Sequence, residues 1–152
     1  MIVKRRAVLK SVLMAFAAGS GILASARAFS AWPKAAFVSK TQADILQSLY
    51  ASGELISSED IVIKAPQIAE NGASVPVNIS TDMDGVESIT IIVPGNPQPL
   101  AGTFDHGPGA LGYVSTRIKM GKTSDVIAVV KSNGKLYTAK KTVKVTLGGC
   151  GG

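Results

Sequence analysis

The alternation of apolar and polar residues predicts a chain built mainly of short strands. Residues 73–80 alternate between apolar side chains and polar side chains or proline, the period of a strand with one buried face. Pro76 has no backbone donor, so we expect this strand at a sheet edge or a bulge. The pair Asn71-Gly72 predicts a hairpin that joins this strand to the apolar run 61–68.

Three further runs predict more strands. Residues 86–93 and 114–120 place apolar side chains at alternate positions and so indicate strands with one buried face. Residues 126–130 are continuously apolar, which predicts a central strand buried on both faces. Strands of this length, separated by turn residues, are typical of a β-sandwich.

The last predicted strand runs from residue 137 to residue 147. Asn133-Gly134 turns the chain into it. Apolar side chains occupy alternate positions of this strand, and Lys141 is the exception, which we attribute to a bulge or a bend. The strand therefore leads directly into the glycine-rich end of the chain.

A short helix is predicted before the strands. Thr41 and Asp44 form a capping pattern of the T-x-x-D type, and Gly53 is the expected stop. Apolar side chains recur at helical spacing at Ile45, Leu46, Leu49 and Tyr50. The predicted fold is mostly all-β: an antiparallel, immunoglobulin-like β-sandwich with a short N-terminal helix.

The first 28 residues have the pattern of an export signal. A basic start is followed by an apolar stretch, residues 12–23, and by an A-x-A cleavage signature at residues 26–28. Arg5 and Arg6 resemble the twin-arginine signal, and an ordinary secretory signal is the alternative. We expect a periplasmic protein with a signal at 1–28, a sandwich at 29–147 and an arm at 148–152.

The net charge of the processed chain gives no support for two classes of partner. Five of the 16 Lys and Arg residues, and none of the 10 Asp and Glu residues, precede residue 29, which leaves a net charge of +1. A nearly neutral domain gives no support for nucleic-acid or membrane-surface binding. We expect neither partner.

Cys150 is the one cysteine of the chain, and two glycines flank it on each side. These are Gly148, Gly149, Gly151 and Gly152. A thiol without a partner on a narrow glycine arm predicts a carrier whose cargo is attached to sulfur. The three residues after Leu147 give this thiol a reach of roughly 10 Å. The alternative is an incidental cysteine on a disordered tail.

Other candidate sites are weak. His106 lacks a second histidine or cysteine at ligand spacing, so we expect a solvated loop residue and no metal site. Asp82, Asp84 and Glu87 lack the calcium-loop pattern and indicate a turn. Ser115 has no base nearby in sequence, and no phosphate-binding glycine motif is present. We therefore expect no catalytic residues and no cofactor.

The chain resembles the SoxY family of sulfur carriers. The strand at 143–147 and the terminal motif at 148–152 carry the resemblance most specifically. Weaker matches are Asn96-Pro97-Gln98-Pro99 with Phe104, residues 115–120 and residues 134–137.

The resemblance implies a mechanism and a set of partners. A haem-containing enzyme conjugates inorganic sulfur to Cys150, a hydrolase releases sulfate, and in some organisms a sulfane dehydrogenase oxidises the remaining sulfur. It also implies a heterodimer with a SoxZ-like subunit. The carrier itself performs none of these reactions.

Two other functions stay open from the residues. A ubiquitin-like carrier would hold sulfur as a thiocarboxylate at Gly152, although an export signal argues against it because activation of that carboxylate needs intracellular ATP. A periplasmic binding protein would use Cys150 for intermolecular disulfides.

Overall fold

Two short helices open the part of the chain that the computed structural model describes, residues 33–146. Helix α1 is Lys34–Val38, and α2 is Gln42–Tyr50. The Thr41 hydroxyl accepts a hydrogen bond from the Asp44 backbone N–H at 3.1 Å, which confirms the predicted helix start. The left-handed residue that ends α2 is Ala51, not Gly53. Neither helix is long and apolar enough to cross a membrane.

Strands make up most of the remaining described chain, and they form two sheets. The strands are β1 (Ile56–Ser57), β2 (Ile61–Lys64), β3 (Ile68–Ala69), β4 (Val75–Thr81), β5 (Val86–Ile92), β6 (Leu100–Asp105), β7 (Tyr113–Ile118), β8 (Ser124–Ser132) and β9 (Lys135–Val145). The larger sheet has the order β1-β9-β8-β5-β6, with β3 also paired to β9, and the smaller has the order β2-β4-β7. This arrangement confirms the predicted sandwich.

Two strands depart from the predicted antiparallel pattern. Strands β1 and β3 pair with β9 in parallel, at Ile56↔Tyr137 and at Ala69↔Val145. Between them the chain crosses to the smaller sheet as β2 and returns. Each parallel strand has only two residues, too few to leave a periodic signal in the sequence.

The predicted hairpin at Asn71-Gly72 is wrong. Strands β2 and β4 do pair antiparallel, but β2 ends at Lys64, and the connection contains β3. Asn71 instead forms a local turn, in which its side-chain oxygen accepts a hydrogen bond from the Ala73 backbone N–H at 2.9 Å. Pro66 follows closely after β2 and cannot donate to a ladder, which is consistent with the early end of that strand.

Pro76 lies in the middle strand of the smaller sheet, not in an edge strand. Its partner in β7 is Arg117, whereas the pairing of β4 with β2 starts only at Asn78. One side of β4 therefore has no strand neighbour at Pro76, and no hydrogen bond of a ladder is lost there. The predicted edge exists only along residues 75–77 of β4.

The larger sheet is buried on both faces. Toward the smaller sheet it contributes Ile89, Ile91, Val93, Val126, Ala128 and Val130 to the main core. On its other face, Ile92 and Val129 pack with Ala36, Ile45 and Leu46 of the helices. The helices thus add a third layer to the predicted sandwich, and they explain why residues 126–130 are continuously apolar.

A buried hydroxyl network joins the helical layer to the sheet. The Tyr50 hydroxyl lies 2.6 Å from Thr90 Oγ1 and 3.1 Å from Ser88 Oγ. Thr90 is fully buried, and its hydroxyl also donates to Thr103 Oγ1 at 2.8 Å. These polar groups are therefore satisfied at the point where α2 crosses β5.

Strand β9 pairs with β8 in a continuous register, without a bulge, along their whole contact. The pairs run without interruption from Ser124↔Val143 to Ser132↔Lys135. Lys141 pairs with Val126 inside this ladder, so the predicted bulge at Lys141 is wrong. Its side chain is half-buried, as expected for a long chain whose methylene groups cover apolar surface.

Candidate functional site

The predicted attachment residue, Cys150, lies outside the described residues. So do the arm glycines Gly148, Gly149, Gly151 and Gly152, and the signal residues Arg5 and Arg6. The structure does describe the base from which the terminal segment leaves the sandwich, since β9 ends at Val145 and Thr146 follows it.

The end of β9 is held on both sides. Val143 pairs with Ser124 of β8 on one side, and Val145 pairs with Ala69 of β3 on the other. The Thr146 backbone N–H donates to the Ala69 carbonyl at 3.1 Å, and the Val145 N–H donates to Thr123 Oγ1 at 3.0 Å. The segment that carries Cys150 therefore starts from a fixed point of the fold.

Gly72 lets three segments meet at this base. A Cβ atom at Gly72 would lie 2.2 Å from the Met120 carbonyl oxygen and 2.9 Å from Val145 Cγ1. The Gly72 carbonyl accepts a hydrogen bond from the Met120 N–H at 2.7 Å. Only a residue without a side chain permits this approach, so Gly72 serves close packing here and not the hairpin that the sequence predicted.

A cavity of about 630 Å³ opens at the same end of the sandwich, between β6 and β7. Lys40, Arg117 and Lys119 contribute to its lining, which contains no acidic residue. Asn96 holds two lining segments of this cavity together, since its side chain donates to the Lys119 carbonyl at 2.7 Å and accepts from the Gly121 N–H at 2.9 Å.

Four exposed cations gather around this cavity, and we call them the basic patch: Lys40, Arg117, Lys119 and Lys122. Lys122 belongs to it because its side chain passes over Gly95, next to Asn96. Between residues 33 and 146 the ion pairs are Lys131–Glu87 and Lys140–Asp125, so none involves the patch. Arg117, Lys119 and Lys122 lie within six consecutive residues. Sequence reasoning missed the group because Lys40 joins them, and the cavity forms beside them, only in the fold.

The opposite end of the sandwich is acidic. Asp82 and Asp84 lie in the turn between β4 and β5, as predicted, and His106 follows β6 in a loop. The same prediction is wrong for Glu87, which lies in β5 because the strand already starts at Val86. They line a second cavity of about 570 Å³. The described residues contain no group of three side chains that could hold a metal ion.

Glu87 is the acidic residue of this end with a defined ionic partner. The Lys131 side chain, which has the larger effect, and the Gly134 N–H both donate hydrogen bonds to the Glu87 carboxylate. These bonds hold the pKa of Glu87 below its ordinary value. This contact fixes the turn that leads into β9. Ser115 lies on the exposed face of the smaller sheet, where its hydroxyl donates to Asn78 Oδ1 at 2.7 Å.

A family model for the sulfur oxidation protein SoxY matches residues 46–150. This chain belongs to the SoxY family. The match begins within α2, covers every strand of the sandwich and includes Cys150. The SoxY assignment therefore rests on the domain and on the terminal cysteine together.

A solved SoxY structure agrees with this assignment. The sulfur carrier protein SoxY from Chlorobium limicola f thiosulfatophilum is 42% identical, with a TM-score of 0.63, over 68% of this chain and 94% of that one. A role as a sulfur carrier in sulfur oxidation follows for the present SoxY chain.

More distant structures share only the SoxY fold. The superoxide reductase (neelaredoxin) from Ignicoccus hospitalis matches with 22% identity and a TM-score of 0.51, over 58% of this chain and 81% of that one. At this identity the likeness concerns architecture alone. The comparison with curated proteins gave no significant match.

Proposed function

We propose that the protein carries sulfur intermediates covalently on Cys150 and presents them to partner enzymes in the periplasm. The observation that carries the proposal is a SoxY match that extends to Cys150, the one cysteine of the chain. The firm attachment of β9 supports it, because a carrier arm needs a fixed base and a free end.

The proposed chemistry places all bond changes at the sulfur of Cys150. In the loading step, the thiosulfate dianion and the thiol form a sulfur–sulfur bond to give Cys-S-S-SO3⁻, and a haem-containing enzyme accepts the two electrons while the thiol proton leaves. In the second step, a hydrolase adds water to the terminal sulfonate, releases sulfate and leaves a persulfide. In some organisms a sulfane dehydrogenase oxidises that persulfide. The carrier catalyses none of these steps.

We place this chemistry outside the cytoplasm. Arg5 and Arg6 precede an apolar stretch and a cleavage signature, a pattern typical of twin-arginine export. That route transports folded proteins, and it would allow the carrier to leave the cytoplasm together with a subunit that has no signal of its own.

A SoxZ-like subunit is the proposed stable partner, and the sandwich is the surface that we assign to it. Val62 and Tyr113 are about half exposed, and both are in register with Ser80 on the outer face of the smaller sheet. Leu111, near Tyr113, is 83% exposed. Exposed apolar side chains that cluster on one face favour protein contact.

Deletion of residues 148–152 should leave the heterodimer intact. The described exposed apolar side chains belong to the sandwich, and the deletion removes none of them. Co-expression and size-exclusion chromatography would show the truncated chain eluting with its partner as the full chain does. Loss of co-elution would mean that the terminal segment itself forms part of the interface.

Peptide mapping tests the attachment site directly. In protein isolated from cells that oxidise thiosulfate, the C-terminal peptide should carry added mass that a reductant removes, localised to Cys150. Added mass at the Gly152 carboxylate would instead support a thiocarboxylate carrier. A reducible Cys150–Cys150 dimer without other adducts would support a binding protein that uses the thiol for dimerisation.

A further inference from the structure

We propose that the basic patch is the surface on which the haem-containing enzyme that loads the carrier docks, through an acidic surface of its own. This inference rests on the proposed function, because it assumes that Cys150 is presented to that enzyme. It adds the part of the folded domain that the enzyme contacts and the chemistry that it needs there.

The position of the patch is the first argument. Lys119 directly precedes Met120, whose carbonyl oxygen and the Val145 side chain both approach Gly72 closely. The patch therefore begins at the base of the terminal segment. An enzyme that admits Cys150 into its active site would face this end of the sandwich.

The charge distribution is the second argument. Asp82, Asp84 and Asp105 lie at the other end of the sandwich, and none of them forms an ion pair within residues 33–146. The domain is nearly neutral overall, yet its two ends carry opposite charge. Such a distribution orients an approaching acidic surface toward the basic end and raises the rate of productive encounter.

The exposure of the patch favours a protein surface over a small anion. In sites that bind small oxyanions, backbone N–H groups and partly buried cations point toward one common position. Here the N–H groups of Gly95 and Gly121 already donate to Ser124 Oγ and Asn96 Oδ1. The Lys and Arg side chains of the patch are exposed and extend from Lys40 across the segment 117–122, an arrangement suited to many distributed contacts.

Charge reversal within the patch tests the proposal. The carrier, in complex with its partner subunit, would be mixed with the haem-containing conjugating enzyme from the same cells and thiosulfate, and loading of Cys150 followed by intact mass. Lys119→Glu should slow loading about fivefold or more at low ionic strength, and adding Lys122→Glu should deepen the loss. The difference from wild type should shrink at about 0.5 M salt, where charges are screened within a few ångströms.

Lys135→Glu is the matched control, since Lys135 is also exposed and is the first residue of β9, at the other end of the strand from Thr146. It should change loading less than twofold. Equal rates for Lys119→Glu and Lys135→Glu, with wild type loaded normally, would overturn the docking surface and leave the carrier function standing. Loss of the partner subunit from Lys119→Glu would also overturn it, because the patch would then be the subunit interface.

Two further results bear on the proposal. Saturable binding of sulfate or thiosulfate alone, abolished by Lys119→Glu, would show a small-anion site and would contradict a docking surface. Absence of any loading of wild-type Cys150 would refute the proposed function itself, and with it the inference that depends on it.

Discussion

Replacement of Cys150 by serine should abolish sulfur turnover and leave the folded domain unchanged. The serine hydroxyl cannot form the sulfur–sulfur bond on which the proposed cycle depends. Residue 150 lies beyond the described sandwich, so the free energy of unfolding should change by less than about 0.5 kcal/mol. Sulfate release from thiosulfate in a reconstituted system, together with urea denaturation, would measure both effects. Retained turnover would refute the carrier role of this thiol.

Moving the thiol provides a control for its position. Thr146 is exposed at the end of β9, so Thr146→Cys in the Cys150→Ser background restores a reactive thiol without the terminal reach. This double variant should react with a small alkylating reagent but should not support turnover. Turnover at the wild-type rate would show that any exposed thiol at this end suffices and that the arm is dispensable.

Gly72→Ala is the substitution for which we expect the largest loss of stability. The added Cβ would lie 2.2 Å from the Met120 carbonyl oxygen, a backbone atom that cannot rotate away, and 2.9 Å from Val145 Cγ1. Relief requires the segments at the base of the arm to separate, which should cost about 1–3 kcal/mol. The midpoint of urea denaturation should fall accordingly, with little change in its slope.

Gly53→Ala is the matched control for this substitution. A Cβ atom there meets nothing within 4 Å, so the change should leave stability unchanged or raise it by about 0.4–1 kcal/mol. If the two alanine variants unfold at the same urea concentration, the close contact at Gly72 is not as the structure describes it.

Periodicity predicted the long strands because burial imposes a regular pattern on them. Residues 126–130 contain no polar side chain. In the fold, they belong to β8, which lies between β5 and β9 and is covered by apolar residues on both faces. The cap of α2 was equally predictable, since the Thr41 side chain acts on its own neighbours. Local rules succeed where the partners are local or where burial repeats along one element.

The remaining features depend on residues distant in sequence. Strands β1 and β3 exist because β9 offers them a partner, and their two residues each have no pattern of their own. Gly72 looked like a hairpin glycine, whereas its role is set by Met120 and Val145. The basic patch depends on the fold in part, since Lys40 joins the sequence neighbours Arg117, Lys119 and Lys122 only in the folded domain.

The pairing of β9 also bears on when the domain can fold during synthesis. Strands β1 and β3 are made early, yet both pair with β9, the last strand within residues 33–146. Their contacts span some of the longest sequence separations in the molecule, and pairing over such separations is slow and leaves apolar surface exposed meanwhile. The larger sheet cannot close until β9 has been synthesised. If the proposed export acts only on a folded protein, it must therefore wait for the strand that precedes the thiol.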